Sequence, residues 1–356
     1  MLPKPCGYCI FAIVKYRNSL YLLSLLPAIF CVFGNLTGGY WGFTNYMFVF
    51  FILALIEHIS GSNSSNRFSD ASTLPEAILV FHVLANILTL GTLAYGIHSG
   101  IISGWFFIVL ASFSTGAHTA TSAVVISHEL IHKNSKWQRG LGKFLLAISG
   151  NIYFYIHHLR IHHKDVGTTK DAATARFNEN LYQFAMRSVS GQLKQAWQSE
   201  SQMLKRKEKS IYSLHNYMIR AILVQIAIVI AVYTTLSWPG LLAWGINVYL
   251  AALLLEYVNY IEHYGLSRTT QEKVIHTHSW NSDKYISRFI LIDLSRHADH
   301  HHLANKPFYS LDSHAESPVL PGGYASLVIP ALIPALWRKK VHPVLSKWKI
   351  DNGLQG

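Results

Sequence analysis

An all-α integral membrane protein is the fold class this chain predicts, with about six spanning helices in three hairpins and a histidine-rich cytoplasmic cap. Three observations lead there. Only 13% of the 356 residues are charged and 51% are hydrophobic, where a soluble protein carries about 25% charged residues. Six apolar stretches approach or reach the roughly 20 residues that cross a bilayer. They cover 20–36, 40–59, 76–97, 101–127, 218–236 and 240–260. The turns within the three pairs, at 37–39, 98–100 and 237–239, hold no Lys or Arg.

That charge asymmetry predicts orientation. Lys and Arg accumulate in cytoplasmic loops, so both termini and the 61–75 loop are expected on the cytoplasmic side. The formal net charge of +12 then reflects topology and contact with anionic lipid. No basic run interleaved with aromatics appears, so nucleic acid is not an expected partner. One membrane-embedded domain over residues 1–356 is expected, with cytoplasmic metal-binding regions at 128–216 and 263–356. Insertion relies on the first spanning helix, because no clear leader-cleavage pattern follows Lys15 and Arg17.

The two cytoplasmic regions differ in content. The first shows a helical pattern from Glu179 to about Ser213, ending in the charged run Lys205–Lys209. The second contains a short apolar stretch, 325–337, with Pro330 and Pro334. It is too short to span and reads as interfacial or re-entrant.

Chemistry concentrates in four histidine clusters. They are HELIHK (His128, His132), HHLRIHH (His158, His162, His163), NYIEHYGL (His263) and RHADHHH (His297, His300, His301). Residues three or four apart share a helix face. Each multiple set is therefore expected to aim its imidazoles at a common centre. His263 adds one ligand from the end of the sixth span. Nine ligands exceed what one metal accepts, so two metals with four or five each are expected. Nitrogen-rich ligation favours Fe, Zn, Cu or Ni over Mg or Ca. Glu129, Asp165, Glu262 and Asp299 sit beside the ligands and are expected to fix ring orientation from behind.

Other candidates carry less. His157 and His302 flank clusters but break their spacing. His58, His82, His98, His118, His215, His276, His278, His314 and His342 have no local partners in sequence. Cys6 and Cys9 form one C-x-x-C; a rubredoxin-like centre needs two such pairs. A metal transporter is disfavoured, because such ligands usually lie near the bilayer midplane.

These motifs resemble the bacterial alkane 1-monooxygenases, within the membrane di-iron group that includes xylene monooxygenase and the fatty acid desaturases. NYIEHYGL is the specific one, and it separates the hydroxylases from the desaturases. HSWNS (His278–Ser282) and TTKDAATAR (Thr168–Arg176) are also similar. His157 stands where the family usually has Glu. The resemblance covers about residues 127–311. It implies two non-haem iron ions on the nine histidines, which also serve as the catalytic residues, and O2 as co-substrate. It implies a terminal methyl of a medium- or long-chain alkane as the target and a primary alcohol as product. Methyl groups of alkylaromatic or fatty acyl substrates are the alternative. Electrons would come from a rubredoxin and its reductase, and the setting would be the bacterial inner membrane. Lys133, Lys136, Arg139 and the Lys205–Lys209 run are candidate docking residues. Small residues Gly91, Gly104, Ala111, Gly116 and Ala123 serve close helix packing or leave room for a substrate tunnel, with Trp41, Phe51 or Trp105 limiting its depth.

Overall fold

In the computed structural model, residues 17–66 and 73–353 are described. Cys6 and Cys9 lie outside them. The chain is helical throughout its regular parts. Four spans come first: α1 (Arg17–Thr37), α2 (Gly39–Ile59), α3 (Thr73–His98) and α4 (Trp105–His132). The cap begins with α5 (Lys136–Ile148), a helical segment α6 (154–165) and α7 (Leu181–Arg206). A long apolar helix, α8 (Tyr217–His263), returns through the membrane and back. Ser237 interrupts it with non-helical angles (φ 54°, ψ −150°), just before Pro239. It therefore supplies both remaining spans, and the fold class is as expected. Short helices α9 (Tyr285–Ile290) and α10 (His297–His302) precede α11 (Val328–Leu332) and α12 (Pro334–Asp351).

Local chemistry explains the boundaries. The tight turn between α1 and α2 passes through Gly38 (φ 69°, ψ −166°), a backbone region open essentially only to glycine. Gly104 (φ 80°) precedes α4. Helix α7 starts in a capping box, with Asn180 accepting from Gln183 N and Gln183 accepting from Asn180 N. It ends at Arg206, short of the expected Ser213, because Glu208 takes a positive φ of 55°.

The membrane bundle is polar inside and apolar outside, as lipid demands. Leu22, Ile29, Leu84, Leu88, Leu223 and Ile230 are exposed. Asn35, by contrast, is fully buried and donates to the Thr89 carbonyl at 3.1 Å and Thr92 Oγ1 at 3.3 Å. His82 lies between Ser24 and Ser122, 2.7 Å from each. Thr119 donates to Asn247 at 2.7 Å. Small residues allow close approach: a Cβ on Gly116 would stand 2.9 Å from Leu250. Exposed Tyr40, Trp41, Trp105 and Trp238 gather at or beside the three short turns, forming an aromatic belt at that end.

The opposite end carries the cap. Glu57, at the end of α2, accepts from Ser287 Oγ and from the amides of Ala325 (3.0 Å) and Ser326 (2.6 Å). The segment expected to be interfacial or re-entrant docks one face on the cap and leaves Ile329, Leu332, Ile333 and Leu336 exposed on the other. Trp337 is buried, with its ring 5.0 Å from that of Tyr260 and 5.3 Å from that of Tyr264. Pro334 starts α12 rather than breaking it, since proline is favoured in a first helical turn.

Two substitutions at the turns should move stability in opposite directions. Gly38→Ala adds a Cβ that would strike the Ile101 carbonyl oxygen and should cost about 1–3 kcal/mol. Ser237→Gly should relieve strain at φ 54° and stabilise by up to about 1 kcal/mol. Thermal unfolding of the detergent-solubilised protein reads both, and a lower midpoint for the glycine variant would contradict the strain.

Candidate metal centre

The nine clustered histidines meet at the cap-side end of the bundle, in two adjoining groups. His128, His132, His158, His163 and His300 form one; His162, His263, His297 and His301 form the other. Within each group the available nitrogens lie within 4.8 Å of one another. His163 and His301, from different groups, have rings 4.7 Å apart.

The division corrects the expectation that each cluster serves one centre. His158 and His163 go together while His162 goes to the other group. The cause is local: residues 158–162 form a π-helical turn, whose i→i+5 hydrogen bonding widens the helix and brings His163 toward the face of His158. In α10, His297 and His301 share a face at i, i+4. His300 is about 100° round the helix from His301 and faces the first group.

Several nitrogens converge in a pattern that shared protons cannot satisfy. Nε2 of His132, His158 and His163 form a triangle with sides of 3.0, 3.0 and 3.1 Å. His300 Nε2 is 3.2 Å from His163 Nε2. In the second group His301 Nε2 is 2.9 Å from His297 Nε2. One proton can bridge two neutral imidazoles but cannot satisfy three at once. Cis nitrogens about 2.1 Å from one ion stand about 3.0 Å apart, the spacing seen. Buried Nε2 atoms of His128, His162 and His263 have no hydrogen-bond partner among the described residues. The donor set therefore fits two transition-metal ions.

Electrostatics agree. Burial first, then repulsion between neighbouring rings, pushes His158, His163, His297, His300 and His301 well below the ordinary imidazole value. These rings are neutral at pH 7 and offer lone pairs, as ligation requires. Helices α4 and α8 both end at the site, with His132 and His263 as their last residues. Their negative dipole ends favour a cation there.

The four carboxylates expected behind the rings do not stand there. Glu262 Oε2 is 3.1 Å from His297 Nε2, the nitrogen that faces the site, and its other oxygen accepts from Tyr324 at 2.7 Å. Glu129 is instead paired with Lys133 at 2.9 Å. Asp299 faces away, toward Lys306 and His314, at 2.7 and 2.9 Å. Asp165 caps the following turn through its carbonyl, which accepts from Thr168. The missed residue is Asp171. It accepts from His162 Nδ1 at 2.9 Å, Thr174 Oγ1 at 2.7 Å and Ala173 N at 3.0 Å. Burial would raise its pKa, but attraction to His162 holds it well below the usual carboxylate range. Asp171 thus fixes the tautomer that leaves His162 Nε2 free. Its only sequence signal was its place in the TTKDAATAR stretch.

His157 belongs to neither group. Its Nε2 lies 3.0 Å from Gln195 Oε1, and burial lowers its pKa to about 4. His302 is exposed, with its ring 4.3 Å from that of His276 and tilted 43° to it.

A narrow cavity runs between the spans to this site. Val49, Leu53, Val124, Leu254, Leu255 and Val258 are among its apolar walls. Its polar end has His128, His158, His297 and Glu262. Two π-helical turns, Phe48–Ile52 and Ala120–Val124, contribute Val49, Phe50, Ala120, Thr121 and Val124 to it. The expected tunnel residues are not its walls. Trp41, Phe51 and Trp105 are 60%, 48% and 58% exposed and face outward. Gly116 is filled by Leu250 and Ala111 by Gly42.

Comparison with known proteins decides the family. The Fatty acid desaturase family model matches residues 103–329. Alkane 1-monooxygenase 1 of Pseudomonas aeruginosa is 32% identical over 93% of this chain and 91% of its own length. The chain belongs to the alkane 1-monooxygenase family. Alkane 1-monooxygenase 2 of Alcanivorax borkumensis is likewise 32% identical, over 92% of this chain and 90% of its own. The hydroxylase component of a Pseudomonas putida xylene/toluene monooxygenase is more distant, at 27% over 72% and 70%. As a member of this family the chain is a membrane monooxygenase, and its histidine groups accord with iron binding.

Asp171→Asn should lower metal affinity about 10- to 100-fold, the usual cost of losing such a support. His157→Ala should leave metal content near that of the parent. Iron per chain, measured by plasma mass spectrometry after purification, checks both. Full iron in the Asp171 variant would sink the assigned role.

Proposed function

We propose that this chain hydroxylates the terminal methyl of medium- or long-chain alkanes to primary alcohols, using O2 and electrons from a rubredoxin. The observation that carries this reading is the apolar cavity that ends at two adjoining histidine groups. The five histidines of one group and the four of the other would each hold an iron ion. When bound, the iron pair supplies the activation of O2.

The remaining work falls to this chain. An alkane offers no polar handle, so recognition rests on burial, worth about 0.8 kcal/mol per CH2. Val49, Leu53, Val124, Leu254, Leu255 and Val258 line a slot suited to an extended chain. The substrate already concentrates in the bilayer core from which this slot leads. Its terminal methyl arrives beside His128, His158 and His297, so the end carbon reacts first. The apolar walls also keep water from the reacting atoms.

Electron delivery is read from the surface. A rubredoxin is generally acidic, and complementary charge assists docking. Lys205, Lys207 and Lys209 lie exposed at the end of α7 and are the better candidates. Lys133 is held by Glu76 at 2.6 Å and by Glu129 at 2.9 Å, while Arg139 donates to the carbonyls of Lys133 and Asn134. The paucity of Lys and Arg near the three short turns supports placing the cap and both termini on the cytoplasmic side of the inner membrane. A methyl-bearing aromatic is the second reading, favoured by Phe50, Phe154 and Tyr257 in the cavity wall.

Membranes containing the chain, a rubredoxin, its reductase, NADH and mixed alkanes should yield primary alcohols by gas chromatography. His301→Ala should abolish them. Ala120→Phe should shift preference to shorter alkanes while iron content stays unchanged. Absence of alcohol from iron-loaded protein with an active donor would overturn the alkane reading, and product from p-xylene in the same membranes would favour the second.

A further inference from the structure

We propose a second metal site, separate from the nine histidines, in which His276, Asp299 and His314 bind one divalent ion of the zinc class near the cap surface. The three come from different segments. His276 opens a single 3-10 turn, Asp299 is in α10, and His314 lies in the loop that follows. Their ligand atoms lie within 4.8 Å of one another. His314 Nε2 is 2.9 Å and His276 Nε2 3.6 Å from the same oxygen, Asp299 Oδ1. The two rings stack 3.6 Å apart at 19°, so both present Nε2 to that oxygen.

The surroundings prepare this arrangement. His276 Nδ1 faces Glu316 Oε1 at 3.6 Å, beyond hydrogen-bond length, so the carboxylate acts on that nitrogen through its charge and favours the proton there, with Nε2 as the lone-pair nitrogen. That Nε2 is buried and has no hydrogen-bond partner among the described residues. The second oxygen of Asp299 is occupied, accepting from Lys306 at 2.7 Å and from Asp312 N at 2.8 Å. Lys306 is shared with Asp312 at 2.6 Å. Asp299 is thereby oriented with Oδ1 toward the two imidazoles. Two imidazoles and one carboxylate match a three-ligand zinc set with an open fourth position. His276 and His314 are 15% and 24% exposed, so ions reach the site from solvent. Bound metal would clip three loosely connected segments of the cap together.

The test uses the full, iron-loaded chain in detergent. Titration with Co2+ should give one saturable equivalent with visible ligand-field bands, displaced by Zn2+. Added Zn2+ should raise the thermal unfolding midpoint by several degrees. Both effects should vanish in His276→Ala and in His314→Gln, and affinity should fall at least about tenfold in Glu316→Gln. Iron content should match the parent throughout. Three results would each overturn the proposal: no saturable Co2+ signal, a signal unchanged in both histidine variants, or a signal accompanied by equal iron loss. The glutamine variants preserve side-chain volume and separate ligation from misfolding.

Discussion

Imidazole lone pairs forced within about 3 Å of one another are the constraint on which this molecule is built. Shared protons cannot satisfy three or more neutral rings converging at that spacing, whereas a cation accepts all their lone pairs. They stay there because four structural elements converge on one spot. Two spans end at it, α6 tightens into a π-turn beside it, and α10 lies across it. The helix ends bring negative dipole charge to the same place. The cap then locks these pieces through Glu57, Asp171 and the buried Trp337.

The bundle beneath is organised around access to that spot. Its exterior is apolar and its interior carries Asn35, His82, Thr119 and Asn247. Polar side chains that bond to one another inside the bundle hold the spans in register without closing the gap between them. The gap remains apolar where it matters, along α2, α4 and the second half of α8. A π-turn in α2 and another in α4 widen the helices beside it. Such turns cost stability, and they recur near functional sites. Here all three lie at the cavity or the histidines.

Legibility in the sequence followed the range of each interaction. The spans were visible because hydropathy is a local sum, and the turn at Ser237 was visible because Pro239 and the charge pattern mark it. Eight of the nine histidines were visible because short spacing encodes shared helix faces, and His263 because it ends the sixth span. Their division between two groups was not, because i, i+4, i+5 spacing has a different meaning on a π-turn than on an α-helix. Asp171 was hidden in a stretch with no metal-ligand spacing, and its contact with His162 depends on how residues 166–173 fold back. The cavity walls were misplaced for a related reason. Trp41, Phe51 and Trp105 are large enough to cap a tunnel, but their rotation about the helix axis turns them to lipid.

By itself the sequence determined a helical membrane protein of three hairpins, with histidines gathered at one end and a family resemblance carried by NYIEHYGL and its companion motifs. These are consequences of composition and of spacing along one chain. Only the tertiary structure decided which imidazoles share a centre, which carboxylate steadies them and which faces enclose the cavity. It also brought together His276, Asp299 and His314, whose separations along the chain conceal any relation. Those choices depend on helix rotation, on the π-turns and on contacts between distant segments. None of these is a property of a local stretch of residues.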